Sequence, residues 1–267
     1  MKTVFITGAA KNTGLAIANY FASKGYQVAI SSRNLENAEK TATELSKLFG
    51  IKAKGYALSL KDVEEIRQVF RAIKEDFGGL DVFVGNSADL GVGQEVLTVT
   101  EEEFDSVMNV NVKGHYFCCQ QAALLMKEKR NGSIVLIGSV HYKGAVRGRG
   151  LYAASKGAMA TMVRSLAYEL AEYGIRVNQV VAGAIRTDRW DYLTEEEMTM
   201  RRANWPLGIE STGEDIAKGV YYLASENSGT VTGTDLTIDS GVLTCLLKYD
   251  GGSQNGDMYD FAKRNEK

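Results

Sequence analysis

A regular alternation of short apolar runs with longer amphipathic segments constrains the fold more than any other feature of this chain. The short runs are rich in β-branched residues, and the longer segments carry apolar residues at helical spacing, which is typical of strands and helices. Strands are predicted over residues 2–7, 26–32, 51–58, 80–85, 132–139, 174–183 and 233–241. Helices are predicted over residues 15–25, 34–50, 62–79, 100–129, 151–171 and 213–225. The pattern predicts an α/β fold, a Rossmann-type doubly wound seven-stranded, mainly parallel sheet with helices on both faces.

The alternation continues without a composition break, so residues 1–247 are predicted to form a single domain, followed by a polar tail over 248–267. It fails only after Gly183, where the segment 186–211 is charged, aromatic and irregular. This segment follows a strand whose carboxyl end should border a ligand crevice, so it is interpreted as a substrate lid. A surface helical hairpin is the alternative.

Charge and composition exclude several classes of function. The 267 residues carry a formal net charge of −2, which gives no basic excess for nucleic acid or an anionic membrane. No apolar run is long enough to span a bilayer, and no signal peptide precedes the first strand. Cys118 and Cys119 are adjacent and Cys245 is distant, which favours core thiols over a disulfide or a metal site. We therefore expect a metal-free protein in a reducing cytoplasm.

A glycine-containing turn follows the first predicted strand and opens the first predicted helix. Gly8 and Gly14 bracket this turn, where backbone N–H groups and a helix N-terminus can approach a pyrophosphate. Lys11, Asn12 and Thr13 lie between them, and Asn12 stands where a glycine is expected. Asn tolerates left-handed backbone better than most residues, so the turn is predicted to persist.

The end of the second strand discriminates between NAD and NADP. An acidic residue there would bind the ribose hydroxyls of NAD, but the chain has Ser31, Ser32 and Arg33 instead. The guanidinium of Arg33 supplies a fork of donors that suits a phosphate, and Lys11 adds a second positive charge. NADP(H) is therefore the preferred cofactor, with NAD(H) possible. Two solvated surface charges are the alternative reading.

The segment LYAASKG at 151–157 opens a long run of small and apolar residues that predicts a buried helix. Tyr152 and Lys156 are four residues apart and therefore share one face of that helix. An ammonium close to a phenol lowers the phenol pKa from about 10, which would make the tyrosine a general acid or base. Tyr and Lys at this spacing also occur by chance in many helices.

Two further polar residues lie at the same predicted edge of the sheet. Ser139 ends the fifth strand, where its hydroxyl can hydrogen-bond a substrate carbonyl oxygen or merely end the strand. Asn111 lies inside the fourth helix, where asparagine is a mediocre interior residue, so a polar role or a buried cap is indicated.

Several motifs together resemble the short-chain dehydrogenase/reductase family. They occur in the family's order and spacing over residues 2–241, and they read TGAAKNTG (7–14), GNSA (85–88), NVKG (111–114), IGSV (137–140), YAASK (152–156), RVNQVVAGAIRT (176–187) and LTIDSG (236–241). Each motif is weak alone, but the ordered set is highly specific. Asn12, the GNSA segment and Ala182 depart from the family pattern, which puts loop geometry, cofactor affinity and lid rigidity in doubt rather than the reaction class.

The resemblance implies a catalytic set of Asn111, Ser139, Tyr152 and Lys156. Tyr152 would donate the proton to a ketone or accept it from an alcohol, and Lys156 would lower the tyrosine pKa and hold the nicotinamide ribose. Ser139 would orient the substrate oxygen, and Asn111 would position a water in the proton relay. Further implied cofactor residues are Asn86 along the cofactor, Ser59 and Leu60 near the adenine, and Ile185 and Thr187 at the nicotinamide end.

The implied function is a ketone reductase or secondary alcohol dehydrogenase that uses NADP(H). The substrate would be a small carbonyl compound or alcohol such as a sugar, a sugar acid or a steroid, bordered by Ser139, His141, Tyr152 and Trp190. Arg147, Arg149, Arg186, Asp188 and Arg189 are also expected near the pocket.

Two alternatives stay open: a cofactor-binding regulatory protein without turnover, and an epimerase or dehydratase of the same fold. The family's habit of pairing its fourth and fifth helices implies a homo-oligomer, a tetramer or a dimer.

Overall fold

The structure, a computed structural model, describes residues 1–91 and 93–245, so the polar tail predicted over 248–267 lies outside it. Within the described residues, seven strands form one sheet in the order β3-β2-β1-β4-β5-β6-β7. The strands are β1 (Thr3–Ile6), β2 (Gln27–Ser32), β3 (Ala53–Ala57), β4 (Val82–Gly85), β5 (Gly132–Ser139), β6 (Ile175–Ala182) and β7 (Asp235–Ile238). Every pair of neighbouring strands is parallel, which confirms the predicted sheet.

Helices cover both faces of this sheet, as predicted. They are α1 (Asn12–Ser23), α2 (Leu35–Phe49), α3 (Val63–Phe77), α4 (Glu101–Met108), α5 (His115–Met126), α6 (Gly150–Leu170), α7 (Glu195–Arg202) and α8 (Gly213–Ala224). The described helices include none with the length and apolarity to cross a bilayer.

The alternation of side chains along β1 divides the core into two layers. Phe5 points to one face, where its ring packs 5.2 Å from that of Phe70 in α3. Val4 and Ile6 point to the other face and join a cluster that includes Ile17 of α1. Because successive strand residues face opposite sides, both layers are filled from one strand, and a doubly wound sheet results.

The predicted helix over 100–129 is one continuous helical segment with a wide turn inside it. It begins at a capping box in which the Thr100 hydroxyl accepts from the Glu103 amide and the Glu103 carboxylate accepts from the Thr100 amide. Between α4 and α5, residues Asn109–Gly114 form a π-helical turn, and a 3₁₀ turn closes the segment at Lys127–Lys129. Such wide turns often occur at functional sites.

The segment 186–211 is more regular than predicted. It contains a 3₁₀ turn at Asp188–Trp190 and the helix α7, whose N-terminus is a capping box between Thr194 and Glu197. Trp190 stacks on Trp205 with ring centroids 5.8 Å apart. The expectation of an irregular lid is therefore wrong in its local structure.

The strand order reverses between β1 and β4. From β1 the chain proceeds to β2 and β3 on one side of the sheet, and from β4 it proceeds to β5, β6 and β7 on the other. In an open parallel sheet, a crevice forms outside the carboxyl ends of the strands at this point. The glycine turn after β1 and the GNSA segment after β4 both border that crevice.

Candidate active site

A cleft of about 1210 Å³ opens along the carboxyl ends of the strands. Its wall contains the predicted cofactor residues Gly8, Lys11, Asn12, Thr13, Gly14, Ser32, Arg33, Ser59, Leu60, Asn86, Ile185 and Thr187. It also contains Ser139, His141, Tyr152, Lys156 and Trp190 from the predicted catalytic and substrate sets. Asn111 is the predicted site residue that does not line it.

The glycine turn adopts the tight backbone that the sequence predicted. Asn12 has φ 52° and Gly8 has φ 63°, so both occupy the left-handed region. A Cβ at Gly14 would collide with the carbonyl oxygen of Gly8, so the close approach of α1 to the turn requires glycine there. The Asn86 amide donates to the carbonyls of Thr7 and Gly8 at 3.0 and 3.1 Å, which joins the turn to the end of β4.

Lys11 and Asn12 both contact the lid segment. The Lys11 ammonium lies 3.0 Å from the Asp188 carboxylate, and this pairing lowers the pKa of Asp188. The Asn12 amide donates to the same carboxylate at 3.0 Å, and its oxygen accepts from the Asp188 backbone N–H at 3.2 Å. The Lys11 ammonium, which was expected to add a positive charge near Arg33, thus pairs with Asp188 of the lid segment.

The carboxyl end of β2 contributes an exposed guanidinium and a polar side chain to the cleft wall. Arg33 follows Ser32, the last residue of β2, and makes no ion pair with any residue of 1–91 or 93–245. The Thr187 hydroxyl, in the segment after β6, is buried and has no hydrogen-bond partner among the described residues. A buried polar group without a partner is costly, so this atom indicates a ligand contact.

Tyr152 is buried in the part of the cleft that also contains Ser139 and Lys156, which we call the chemical end. Its ring lies edge-on to that of His141, with centroids 5.5 Å apart, and His141 Nδ1 lies 2.9 Å from the Ser139 hydroxyl. Burial raises the pKa of Tyr152, while hydrogen bonding to Ser139 and the charges of Arg149 and Arg189 act in the opposite direction. The phenol is therefore protonated at neutral pH.

Lys156 is buried one helical turn after Tyr152 in α6. Its ammonium donates to the Ile137 carbonyl at 2.7 Å and lies 5.6 Å from the centroid of the Tyr152 ring. Burial lowers the pKa of Lys156 to about 7. In this structure the desolvated amine is satisfied by the backbone carbonyl near the end of β5, and its role in lowering the tyrosine pKa stays a prediction.

Asn111 is fully buried in the π-helical turn, where its side chain hydrogen-bonds two separate segments. Its amide nitrogen donates to the Asp89 carbonyl at 2.8 Å and to the Ser155 hydroxyl at 3.0 Å, and its oxygen accepts from the Asp89 N–H at 2.8 Å. The side chain thus joins the loop after β4 to α6. Both ends of the amide are thus engaged with protein groups, and the implied relay role of Asn111 stays a prediction.

His115 is a buried polar residue that sequence reasoning did not single out. Its Nδ1 lies 3.1 Å from the Val110 carbonyl of the π-helical turn, and its Nε2 has no partner among the described residues. Desolvation, and next the charge of Lys156, lowers the pKa of His115 to about 4. A Cβ at Gly85 would lie 2.6 Å from the imidazole, so the glycine that departs from the family pattern makes room for the histidine.

Other members of the cleft wall come from the loop after β4 and from the lid. Arg149, Asp188 and Arg189 line the cleft as expected, whereas Arg147 and Arg186 do not. Sequence reasoning missed Ser87, Asp89, Leu90 and Tyr192, which line it too. The position of the first three after β4, beside the strand reversal, was an available signal. Within the described chain, His, Cys, Asp and Glu side chains form no group of three that could hold a metal ion.

Comparison with known proteins identifies the family. Residues 8–243 match a family model described as enoyl-(acyl carrier protein) reductase. The chain is 35% identical over 241 residues to the 3-oxoacyl-[acyl-carrier-protein] reductase FabG of Haemophilus influenzae, which covers 90% of this chain and 98% of that protein. The chain belongs to the short-chain dehydrogenase/reductase family. It is therefore related to oxidoreductases along nearly its whole length.

Solved structures of this family share the fold. A short-chain type dehydrogenase/reductase from Mycobacterium marinum is 30% identical with a TM-score of 0.84, over 91% of this chain and 96% of that one. ElxO, solved with NADP bound, is 30% identical with a TM-score of 0.85, over 91% of this chain and 99% of that one. Both likenesses cover nearly the whole length of this chain.

Proposed function

We propose that this protein is an NADP(H)-dependent oxidoreductase that interconverts a carbonyl compound and a secondary alcohol. One observation carries the proposal: Tyr152, Ser139 and Lys156 line one end of a cleft whose other end holds the glycine turn and Arg33. A buried acid beside a dinucleotide site is the arrangement that hydride transfer to a carbonyl requires. The proposed substrate is a small carbonyl compound that fits the cleft.

The residues present fit the cofactor. The backbone of the glycine turn and the N-terminus of α1 would hold the pyrophosphate, and Arg33 and Ser32 would hold a 2′-phosphate. The unpartnered Thr187 hydroxyl would contact the nicotinamide end. The likeness to ElxO, a structure solved with NADP bound, supports the use of NADP(H). When bound, NADPH supplies the hydride, while the protein supplies position, charge and the proton.

The proton chemistry belongs to Tyr152. Because burial raises its pKa, the phenol is protonated at neutral pH and can donate to the oxygen of a substrate carbonyl. Ser139 would hold that oxygen, and His141 would fix the serine hydroxyl through the 2.9 Å contact at Nδ1. In the reverse direction, the phenolate accepts the proton of the alcohol. Asn111 keeps the loop after β4 in place beneath this end.

Replacing the phenol oxygen tests the assignment. Tyr152→Phe removes the proton donor and keeps the ring, so turnover should fall by about 100-fold or more, while NADPH binding measured by fluorescence titration stays within experimental error. Tyr222→Phe is the control, because Tyr222 is exposed on α8 and lies outside the cleft. Retained activity in Tyr152→Phe would remove the tyrosine from its role.

Two further aspects of the molecule are part of this proposal. We propose self-association through the outer faces of α5 and α6, where Tyr116, Leu124 and Tyr168 are exposed. We also propose action in the cytoplasm, which suits the three unpaired thiols, of which Cys118 and Cys119 are buried in the core.

A further inference from the structure

Two arginines approach the chemical end of the cleft from different segments. Arg149 lies just before α6, and its Nη1 donates to the Leu90 carbonyl at 2.8 Å, which fixes the guanidinium against the loop after β4. Arg189 lies in the 3₁₀ turn at the start of the lid. Both line the cleft that contains Tyr152. Their positive charges lie near enough to the Tyr152 phenol to act against the rise of its pKa.

Neither of these guanidiniums has a carboxylate partner among residues 1–91 and 93–245. Neighbouring arginines do: Arg147 pairs with Glu95, while Arg186 and Arg202 both pair with Glu210. These three arginines outside the cleft are thus ion-paired, whereas the two that line this end of the cleft have no ion pair within the described chain. An uncompensated pair of guanidiniums attracts an anion, and their planar donor forks suit a carboxylate.

The acidic groups nearest to this end are already engaged. Asp89 accepts from the Ser106 hydroxyl at 2.6 Å and from the Gly91 amide at 3.2 Å. Asp188 pairs with Lys11 on the other side of the lid turn. Leu90 and Trp190 also line the cleft and add an apolar and an aromatic surface to its wall. A positive site in such a wall concentrates anionic substrates and rejects cationic ones.

We propose that the substrate carries a carboxylate, which Arg149 and Arg189 bind while its carbonyl oxygen faces Tyr152 and Ser139. The inference rests on the proposed carbonyl chemistry and adds the substrate class: oxo acids in reduction, hydroxy acids in oxidation. The carboxylate itself does not react. When bound, NADPH would supply the hydride for the carbonyl carbon and become NADP⁺, and Tyr152 would supply the proton for the oxygen. A proton from solvent would then restore the phenol.

Matched substrate pairs test this inference. Straight-chain 2-oxo and 3-oxo acids are each compared with their methyl esters, which keep the ketone and remove the charge, and NADPH absorbance reports turnover. The acid of a pair should have the higher kcat/KM. Arg149→Gln and Arg189→Gln should each lower kcat/KM for the acid by about tenfold or more, mainly through KM. Both variants should leave the ester within about twofold, as expected for a lost charge-assisted contact.

Arg147→Gln is the matched control, because Arg147 lies in the same loop as Arg149 but outside the cleft. It should change neither substrate. Turnover of esters as good as that of acids, or equal losses for both in the variants, would overturn the inference and leave the proposed function standing. A rise in the KM for NADPH with every substrate in Arg189→Gln would assign Arg189 to the cofactor instead and overturn its part. Absence of NADPH oxidation with acids, esters and simple ketones alike would overturn the proposed function itself.

Discussion

At the scale of single residues, we predict that cofactor choice depends on Arg33. It is exposed at the end of β2, lines the cleft and has no acidic partner in the described chain. A guanidinium there favours a 2′-phosphate, and a carboxylate there would repel it and accept from ribose hydroxyls instead. Arg33→Asp should therefore raise the KM for NADPH by about tenfold or more and shift preference towards NADH.

Steady-state kinetics with the two cofactors measures this shift. Lys40→Asp makes the same change of charge on the exposed surface of α2, outside the cleft, and should leave the ratio of the two kcat/KM values unchanged. An Arg33→Asp enzyme with the parent ratio would show that Arg33 does not contact the 2′-phosphate.

Some residue-level features follow from chemistry that the sequence displays, and others depend on packing. The left-handed backbone of Asn12 was predictable, because the position in the turn requires it and asparagine tolerates it. The contact of His115 with Gly85 was not, because these residues lie 30 positions apart and meet only when α5 packs on β4. The contact of Lys156 with the Ile137 carbonyl was not predictable either, because every residue carries a carbonyl and only the folded structure shows which one lies near the amine.

At the scale of elements, the glycine turn and the lid are joined by a single acidic residue. Asp188 receives the Lys11 ammonium and the Asn12 amide, so the start of the lid is held over the N-terminus of α1. Exposed ion pairs contribute little free energy each, so the lid should be held weakly and be able to open for cofactor exchange. Asp188→Ala should therefore speed NADPH dissociation by about threefold.

Stopped-flow displacement of NADPH measures that rate. Asp191→Ala removes an exposed carboxylate from the same segment and serves as the control. An unchanged dissociation rate in Asp188→Ala would mean that the contact between the turn and the lid does not restrain the cofactor.

Element boundaries were predictable where a local signal exists. Thr100 and Glu103 form the capping box that their spacing indicates. Thr194 and Glu197 carry the same signal and form the same box at the start of α7, but this helix spans only eight residues and buries Met198 alone. A helix so short has too little apolar periodicity to be recognised from sequence. The π-helical turn at Asn109–Gly114 has no sequence signature comparable to a cap.

At the scale of the whole molecule, the alternation of strands and helices was sufficient to predict the sheet, its two covered faces and the edge that carries the cleft. It could not predict which buried groups lose their usual ionisation, because that depends on the depth of each group in the finished core. His115 is the clearest example. This first residue of α5 is fully buried against the end of β4, and burial lowers its pKa to about 4.

The lowered pKa of His115 predicts how the stability of the whole fold depends on pH. In the unfolded chain a histidine takes up a proton near pH 6.5, whereas in the folded chain His115 takes it up only near pH 4. Between these values the unfolded state binds more protons, so the free energy of unfolding should fall as the pH falls from about 6.5 towards 4. The full loss from this group is about 3 kcal/mol, at about 1.4 kcal/mol per pH unit.

Urea denaturation at a series of pH values between 5 and 7 measures this slope. His115→Met replaces the imidazole with an apolar side chain of similar length that does not titrate. The variant should be less stable at neutral pH, but its free energy of unfolding should fall less on acidification. His141 is only half-buried and its pKa is also lowered, so its contribution remains in both proteins and cancels in the comparison. Equal slopes in the two proteins would mean that His115 is protonated as readily in the folded core as in water, and that the packing of α5 on β4 is looser than its contacts indicate.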